Sequence, residues 1–321
     1  MPQSATRRPS AIANGISGVA ELRAEVAEKI AAHAPTAGEH ATSIPGLTLY
    51  RRTSTTPCYP ATYEPSLNIF VQGRKRITLG GTTYLCDGST FLLSSLDLPV
   101  VSQIVEASTK APLLSMLLKI DMAVVRELLS HGEFQTRNGS SEDRGIAIGT
   151  TSVDLLKPCS RLLDLLDAPE DIPFLCSLIQ REIVYRLLRG PKGARLHAIA
   201  TLGDQSHRTA KAIAWLRANY AKPLRVEELA ELARMGMSTL HHHFRALTAM
   251  SPLQYQKQLR LVAARERMLI EGLDAASAAF EVGYESPSQF NREYKRFFGQ
   301  PPMRDIKTRR FSESTTIRQN L

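Results

Sequence analysis

Two helix-turn-helix patterns occupy residues 226–247 and 274–298, and one uninterrupted amphipathic stretch, Pro252–Ile270, joins them. Each pattern has a short helical repeat of apolar residues, a break that contains a glycine, Gly236 or Gly283, and a second stretch of helical periodicity. A short helix, a tight turn and a second helix with a polar outer face form the unit whose second helix enters the major groove of DNA. The sequence therefore predicts an all-α domain that binds DNA through two such helices.

In the first unit, the helix that faces DNA is predicted over 238–247, with Ser238 as its N-cap. Apolar residues recur there at i, i+4 and i+7, so a buried stripe is expected from Leu240, Phe244 and Leu247. The other face is polar, and we expect it to contact DNA through Ser238, His241, His242 and Arg245. The consecutive histidines at 241–243 diverge by about 100° per residue on a helix, which disfavours a shared metal ion.

The second unit has stronger helix boundaries. Asp274 and Ser286 are the predicted N-caps of its two helices. Pro287 suits the first turn of the second helix, and Gly299 suits its C-terminal stop. The stripe expected to be buried is Phe290, Tyr294 and Phe297. The outward set, rich in donors to bases and phosphates, is Ser288, Asn291, Arg292, Lys295 and Arg296.

The stretch between the units is the right length to act as a spacer on DNA. As a straight helix, Pro252–Ile270 would be about 28 Å long at 1.5 Å per residue. Successive major-groove faces on one side of a duplex are ~34 Å apart. A single chain could therefore contact two adjacent turns of DNA.

Residues 206–305 resemble the DNA-binding domain of the AraC/XylS family of transcription regulators. The matching residues are Met237-Ser-Thr-Leu, His243-Phe-Arg, Met250-Ser-Pro, Tyr255, Arg260-Leu, Ala264-Arg, Ala278, Gly283-Tyr, Phe290-Asn-Arg, Lys295-Arg-Phe-Phe-Gly-Gln-Pro-Pro and Arg304. The resemblance implies base-edge contacts from Ser238, His241, His242, Ser288, Asn291 and Arg292. Phosphate contacts are then expected from Arg245, Lys295 and Arg296. Where many relatives carry Arg this chain has His242, so that contact is expected to be weaker or to depend on pH.

The segment from Leu47 to Ile120 has short β-favouring runs separated by turn residues. Gly73, Gly80-Gly81 and Asp87-Gly88 are predicted hairpin turns, and this spacing is typical of a barrel or a sandwich. The segment also resembles the cupin-like N-terminal domain of one branch of the same family. The matching residues are Tyr63-Glu-Pro-Ser-Leu, Val71-Gln-Gly-Arg-Lys, Leu79-Gly, Asp97-Leu-Pro, Arg181-Glu-Ile and Arg186-Leu-Leu. The resemblance implies a domain that holds a small effector, followed by helices that pair two subunits.

The predicted fold class is therefore α+β, with an N-terminal cupin-like β-barrel and flanking helices before the all-α domain. Helices are expected at 19–32, 122–130, 152–166 and 172–189. The expected divisions are a tail and short helix (1–45), the cupin-like domain (46–190), a linker (191–205), the double helix-turn-helix domain (206–310) and a C-terminal tail (311–321). A chain of 321 residues with 43% hydrophobic content is long enough for two packed domains.

Gln72, Arg74, Lys75 and Arg76 form a polar cluster that straddles a predicted turn and could bind an anionic effector. We predict an effector contact from Gln72 and Arg74 of this cluster and from Cys86. The alternative for the polar cluster is ordinary surface charge next to a hairpin. Capture of an oxidant or electrophile by Cys58 or Cys86 would require a basic neighbour that lowers the thiol pKa. A third alternative is that the β domain serves only for dimerisation.

Charge and residue types restrict the class of protein. Of the net charge of +9, +7 lies from Thr201 onward, where 19 Lys and Arg face 12 Asp and Glu, so phosphate binding is expected from that part. The four cysteines have no zinc-site spacing, and 47–120 contains no histidine, so we expect reduced thiols and no metal, cofactor or catalytic residue. No segment has the length or apolar character of a signal peptide or membrane span, and a cytoplasmic location is expected.

The sequence thus predicts a sequence-specific transcription regulator, most simply an activator, that is not an enzyme. Its expected partners are promoter DNA, RNA polymerase, a small effector and a second copy of the chain, with no membrane. Two alternative predictions place the chain in a different class of protein. An enzyme with a DNA-binding tail would need an acid, base or nucleophile constellation in 46–190, and an architectural protein would bind DNA without sequence preference.

Overall fold

The computed structural model describes residues 10–131, 144–201 and 204–309, with side chains from residue 18 onward. The predicted C-terminal tail, 311–321, and the first residues of the predicted N-terminal tail lie outside the described residues.

All the described strands lie in the first half of the chain. They are β1 (Gly38–Ala41), β2 (Leu47–Arg52), β3 (Tyr59–Tyr63), β4 (Ser66–Gln72), β5 (Arg74–Leu79), β6 (Thr82–Asp87), β7 (Thr90–Ser94), β8 (Leu98–Glu106), β9 (Leu113–Lys119) and β10 (Ile146–Thr150).

Helices flank the strands and make up the second half of the chain. They are α1 (Ser10–His33), α2 (Met122–His131), α3 (Val153–Asp164), α4 (Ile172–Arg189), α5 (Gly193–Ala200), α6 (Gln205–Ala218), α7 (Val226–Ala233), α8 (Met237–Thr248), α9 (Pro252–Ile270), α10 (Ala275–Glu281) and α11 (Pro287–Phe298). A 3₁₀ turn, Pro169–Asp171, precedes α4, and residues 302–309 are also helical.

The strands form two antiparallel sheets and not one closed barrel. The larger sheet has the order β1-β2-β9-β4-β7-β10, and the smaller has the order β3-β8-β5-β6. Within the described ranges, no backbone ladder joins the edge of one sheet to the other. The predicted α+β class is confirmed, with the β domain first and the paired helix-turn-helix units second. The closed barrel is corrected to a two-sheet sandwich, because hairpin spacing alone is the same in both architectures.

The inner strand β4 of the larger sheet is buried on both faces. Leu67 and Ile69 point into a core that also contains Ile30 of α1 and Leu156 of α3. Phe70 points to the opposite side of the sheet, into a second core. Successive side chains of a strand alternate between faces, so a continuous buried run is expected only where helices cover one face and a sheet covers the other.

The second core extends from the β domain into the first helix-turn-helix unit. Phe70 and Leu98 of the sandwich belong to the same buried cluster as Leu216 of α6 and Phe244 of α8. The second unit has a core of its own, which includes Phe290 and other residues of α9–α11. The first unit is therefore packed against the β domain, whereas the second unit is packed mainly on itself.

The predicted linker, 191–205, contains a packed helix. Within it, α5 contributes Leu196 to the first core and Ile199 to the second. The connection between the two domains is therefore a buried element and not an extended segment.

Candidate nucleic-acid interface

The outward helix of the first unit is α8, which begins one residue earlier than predicted. Its N-cap is Gly236, so Ser238 lies inside the first turn and is not the cap. The preceding helix, α7, ends at Arg234 in the left-handed conformation, with φ of 51°. This left-handed residue reverses the chain before Gly236, and the α8 backbone starts as soon as the reversal is complete. The predicted stripe is buried, with Phe244 packed edge-on against Tyr255 at 5.5 Å between ring centroids.

The outward helix of the second unit is α11, and its predicted boundaries are confirmed. The hydroxyl of Ser286 accepts from the backbone N–H of Gln289 at 3.3 Å, and Gly299 ends the helix with φ of 81°. The carboxylate of Asp274 likewise accepts from the backbone N–H groups of Ala276 and Ser277 at the start of α10. These caps satisfy backbone donors that the helices themselves leave unpaired.

The turn of the second unit requires glycine. Gly283 has φ of 89°, and a Cβ there would lie 2.0 Å from the carbonyl oxygen of Ala221. The same glycine's carbonyl oxygen accepts from Nη1 of Arg260 at 2.7 Å. The turn is thus held by close backbone contact with the residues that follow α6 and by a side chain from α9.

Every residue predicted to contact DNA is exposed. These residues are Ser238, His241, His242 and Arg245 on α8, and Ser288, Asn291, Arg292, Lys295 and Arg296 on α11. In the described part of the chain, no ion pair engages Arg245, Arg292, Lys295 or Arg296. The ring of His242 contacts that of His243, and burial lowers the pKa of the latter below its ordinary value. The basic side chains on both helices are therefore available to an external anion.

The helix α9 fixes both units at once. Tyr255 and Leu259, in its first half, belong to the core shared with α8, whereas Leu261 and Met268 belong to the core of the second unit. Its start is closed by a capping box in which Ser251 pairs with Gln254. Because one continuous helix contributes to both cores, the two outward helices have a fixed relation to each other.

Arg260 is a positioning residue that the sequence identified only as part of the family resemblance. Its Nε donates to the carbonyl oxygen of Tyr220 at 2.7 Å and its Nη1 to that of Gly283 at the same distance. On a neighbouring part of α9, Lys257 pairs with Glu293 of α11 at 2.8 Å. The periodicity of α9 gave no indication of these contacts, because their partners lie 23 to 40 residues away in the chain.

A cavity of about 350 Å³ is lined by strands of both sheets. Its walls combine apolar side chains such as Ile104, Leu113 and Leu117 with polar ones. The polar group contains the cations Arg52, Lys75 and Lys119, the acids Glu39 and Glu64, and Asn68. The volume falls in the lower part of the range of small-molecule sites, about 300–1,000 Å³.

Lys75 of the predicted polar cluster lines this cavity, whereas the predicted effector contacts Gln72, Arg74 and Cys86 do not. Gln72 donates through Nε2 to the carbonyl oxygen of Pro112 at 2.7 Å, and Arg74 pairs with Glu106 at 3.5 Å. Cys86 is buried in the second core, and burial raises the pKa of its thiol to about 12. Cys58 is exposed, and its Sγ lies 3.7 Å from Oε1 of Gln103.

One cavity residue also belongs to the contact between the domains. Glu64 pairs with Lys119 of β9 at 2.8 Å and, through its other carboxylate oxygen, with Arg217 of α6. Arg217 also pairs with Asp97, whose backbone carbonyl oxygen accepts from the Tyr255 hydroxyl at 2.6 Å. Pairing with Lys119 and Arg217 lowers the pKa of Glu64, whereas burial raises that of Asp97. These ion pairs connect the cavity wall directly to the DNA-binding half of the molecule.

The hairpin between β5 and β6 lies against the end of α8. Gly80 in this turn has φ of 57°, and a Cβ there would lie 2.4 Å from Cβ of Ala249 at the end of α8. The backbone N–H of Gly145 donates to the carbonyl oxygen of Leu247, also in α8, at 2.9 Å. The β domain therefore touches the end of the first outward helix itself.

Metal sites and membrane spans are two further features that bear on function. In the described ranges, no group of three or more His, Cys, Asp or Glu residues could hold a metal ion. In the same ranges, no helix combines the length and apolar character needed to cross a membrane.

Both halves of the chain match protein-family models. Residues 43–195 match the AraC-type transcriptional regulator N-terminus, and residues 229–307 match a helix-turn-helix domain. The HTH-type transcriptional activator RhaS of Yersinia pestis (strain Pestoides F) is 30% identical over 105 residues, which are 33% of this chain and 38% of the relative. RhaS of Yersinia pseudotuberculosis serotype O:1b matches equally well. The match thus spans well under half the length of these relatives.

Solved structures of ToxT from Vibrio cholerae share the fold. One aligns with a TM-score of 0.54 and 12% identity over 81% of this chain and 97% of ToxT. An apo structure of a ToxT variant from strain SCE256 aligns with the same TM-score and 9% identity over 83% of this chain and 98% of ToxT. The chain belongs to the AraC/XylS family of transcriptional regulators, and its helical half is a DNA-binding domain of that family.

Proposed function

We propose that this protein is a sequence-specific regulator that activates transcription by inserting α8 and α11 into successive major grooves of promoter DNA. The observation that carries the proposal is the pair of exposed, polar helical faces joined by α9, which contributes to the cores of both units. Activation is supported by the RhaS relatives, which are activators and match this chain over 105 residues. Such a protein acts on the chromosome and on RNA polymerase, and in a bacterial cell both lie in the cytoplasm.

Base edges and phosphates are assigned to different side chains. Exposure supports base contacts from Ser238, His241 and His242 of α8 and from Ser288, Asn291 and Arg292 of α11. Phosphates are assigned to Arg245, Lys295 and Arg296, near the ends of the two helices.

The first prediction separates these two roles on α11. Arg292→Ala should lose ~1–3 kcal/mol of binding free energy on the preferred site and relax the preference at one base pair. Lys295→Ala should weaken binding to all sequences alike and reduce the salt slope by about one. Affinities on a selected site and its single-base variants, measured at several salt concentrations, distinguish the two. Lys110→Ala, an exposed change in the β domain, is the control. Equal loss on every sequence for both α11 variants would contradict direct base contact by Arg292.

We further propose that 46–190 forms the effector domain and 206–310 the DNA-binding domain, with an effector acting through their contact. A third ToxT structure, with a TM-score of 0.54 and 11% identity, has an unsaturated fatty acid bound. That complex supports a ligand site in the same fold. The ion pairs of Glu64 and Arg217 support a route from the cavity wall to α6. An effector would shift the protein between states only through different affinity for each state.

A specific observation also favours pairing of two copies through α4. Phe174 is 74% exposed and Leu178 is 61% exposed, one helical turn apart, with Leu175 beside them. Exposed apolar side chains clustered on one helix face are typical of an interaction surface. A homodimer would cover this face, and dimerisation and effector binding can coexist. The raised thiol pKa of Cys86, by contrast, argues against that residue as a reactive sensor.

A further inference from the structure

We propose that the cavity between the two sheets binds a small carboxylate with an apolar body, held by Lys75, Arg52 and Asn68. This inference rests on the proposed function, because it names the chemical class of the effector. Its support comes from the charges of the lining, from a buried amide oxygen without a hydrogen-bond partner and from the apolar walls.

The cavity has a surplus of positive charge. Both carboxylate oxygens of Glu64 are engaged, by Lys119 and by Arg217, and Glu39 accepts a hydrogen bond from Tyr50. In the described ranges, by contrast, no acidic side chain pairs with Lys75 or Arg52. A half-buried cation without a counter-charge is costly in an environment of low dielectric constant, and a bound anion would remove that cost.

Aromatic rings hold both cations at the cavity wall. The ammonium of Lys75 lies 5.4 Å from the ring centroid of Tyr63, and the guanidinium carbon of Arg52 lies 5.9 Å from that of Tyr50. Both tyrosines line the same cavity. Such contacts orient a cation without neutralising its charge, so the donors stay available to a ligand.

Asn68 supplies an independent indication of a ligand. Its side chain is in the cavity lining, the residue is only 4% exposed, and its Oδ1 has no hydrogen-bond partner in the described part of the chain. Buried amides are almost always paired, and an unpaired one costs free energy. The oxygen and nitrogen of an amide can exchange places by rotation about χ2, so Asn68 can present its NH₂ to a carboxylate.

The apolar walls of the cavity indicate what the rest of the ligand is, beyond its carboxylate. Ala61, Ile104, Leu113 and Leu117 contribute apolar surface, and Tyr59 contributes an aromatic ring. About 350 Å³ is too large for an inorganic anion alone and is suited to a ligand with a ring or a short chain. A free phosphate or acetate ion would therefore leave most of the cavity empty.

The second prediction is tested by calorimetric titration of the full chain at pH 7. The probes are 3-phenylpropanoate and cyclohexanecarboxylate, their neutral primary amides, and acetate. Both apolar carboxylates should bind saturably, and both amides and acetate should bind about tenfold more weakly or not at all. Lys75→Met should lower the affinity for the carboxylates about tenfold, Lys75→Arg should retain most of it, and Lys110→Met should leave it unchanged.

Several outcomes would overturn the proposal. These are equal binding of carboxylates and amides, unchanged binding by Lys75→Met, or no binding of either carboxylate to the wild type. Lys75→Arg guards against a folding defect, since both Lys75 variants alter the same packing but only Lys75→Met removes the charge. Sequence-selective DNA binding by the same preparations is measured in parallel. Its presence without carboxylate binding would contradict this inference alone, whereas its absence would contradict the proposed function.

Discussion

Among single residues, Arg217 links the two domains through ion pairs with two carboxylates. It pairs with Glu64, at the cavity wall, and with Asp97, whose side chain is only 15% exposed. Removing Arg217 would leave these carboxylates without a cation on the side of α6. The cost is smaller than for a fully buried pair, because Arg217 itself is 39% exposed.

The third prediction is that Arg217→Gln lowers the free energy of unfolding by about 1–2 kcal/mol at pH 7. Urea titrations followed by circular dichroism measure this loss. The matched control is Arg225→Gln, which breaks the exposed pair of Arg225 with Glu228 and should change stability by less than about 0.5 kcal/mol. An equal effect of the two substitutions would show that Arg217 is an ordinary surface cation.

The difference in stability between the wild type and Arg217→Gln should depend on pH. Because pairing lowers the pKa of Glu64, its ion pairs contribute stability above the ordinary carboxylate range and lose it as the pH falls through the lowered pKa. Asp97, whose pKa is raised by burial, loses its charge at a higher pH than Glu64. The difference in stability between wild type and Arg217→Gln should therefore narrow from pH 7 to about pH 4. A difference that stays constant or widens would contradict the ion-pair account.

At the scale of elements, α4 differs from the other helices that cover the larger sheet. Its buried side, with Ile183 and Leu187, completes the first core, while Phe174, Leu175 and Leu178 are exposed near its N-terminal end. A helix that is apolar on its solvent side is typical of a surface covered by a partner.

The fourth prediction is that Phe174→Glu converts a dimer into a monomer. A charge at the centre of an apolar interface should raise the dissociation constant of the dimer by about 100-fold or more. Sedimentation velocity over a range of protein concentrations measures this constant. Leu253→Glu, at an exposed apolar residue of α9, is the matched control. A wild type that stays monomeric at high concentration, or a variant that pairs as tightly as the wild type, would contradict pairing through α4.

At the scale of the whole molecule, local patterns predicted the helices and caps well. The bounds of α9 and the caps Asp274, Ser286 and Gly299 depend on residues close in sequence, and the structure confirms them. The cap of α8 was predicted wrongly, because the left-handed Arg234 ends α7 and lets α8 begin after Gly236.

Contacts between elements that are distant in the chain could not be predicted from the sequence. Phe70, Leu98 and Phe244 belong to one buried core. Each is predicted to be buried from the pattern of its own strand or helix, but that pattern does not predict which other element it packs against. The cavity has the same origin, since Asn68 and Lys75 come from different sheets. The effector residues Gln72, Arg74 and Cys86 were predicted from local charge and chemistry. Local sequence cannot predict which side chains line a cavity between two sheets.

The fifth prediction is that α8 and α11 contact two successive major grooves. Methylation interference on a selected site should give two groups of contacts about 10 base pairs apart on one face of the duplex. The triple variant Ser288→Ala, Asn291→Ala, Arg292→Ala should remove one group and keep the other, which α8 provides. A single group of contacts, or two groups on opposite faces of the duplex, would contradict the account.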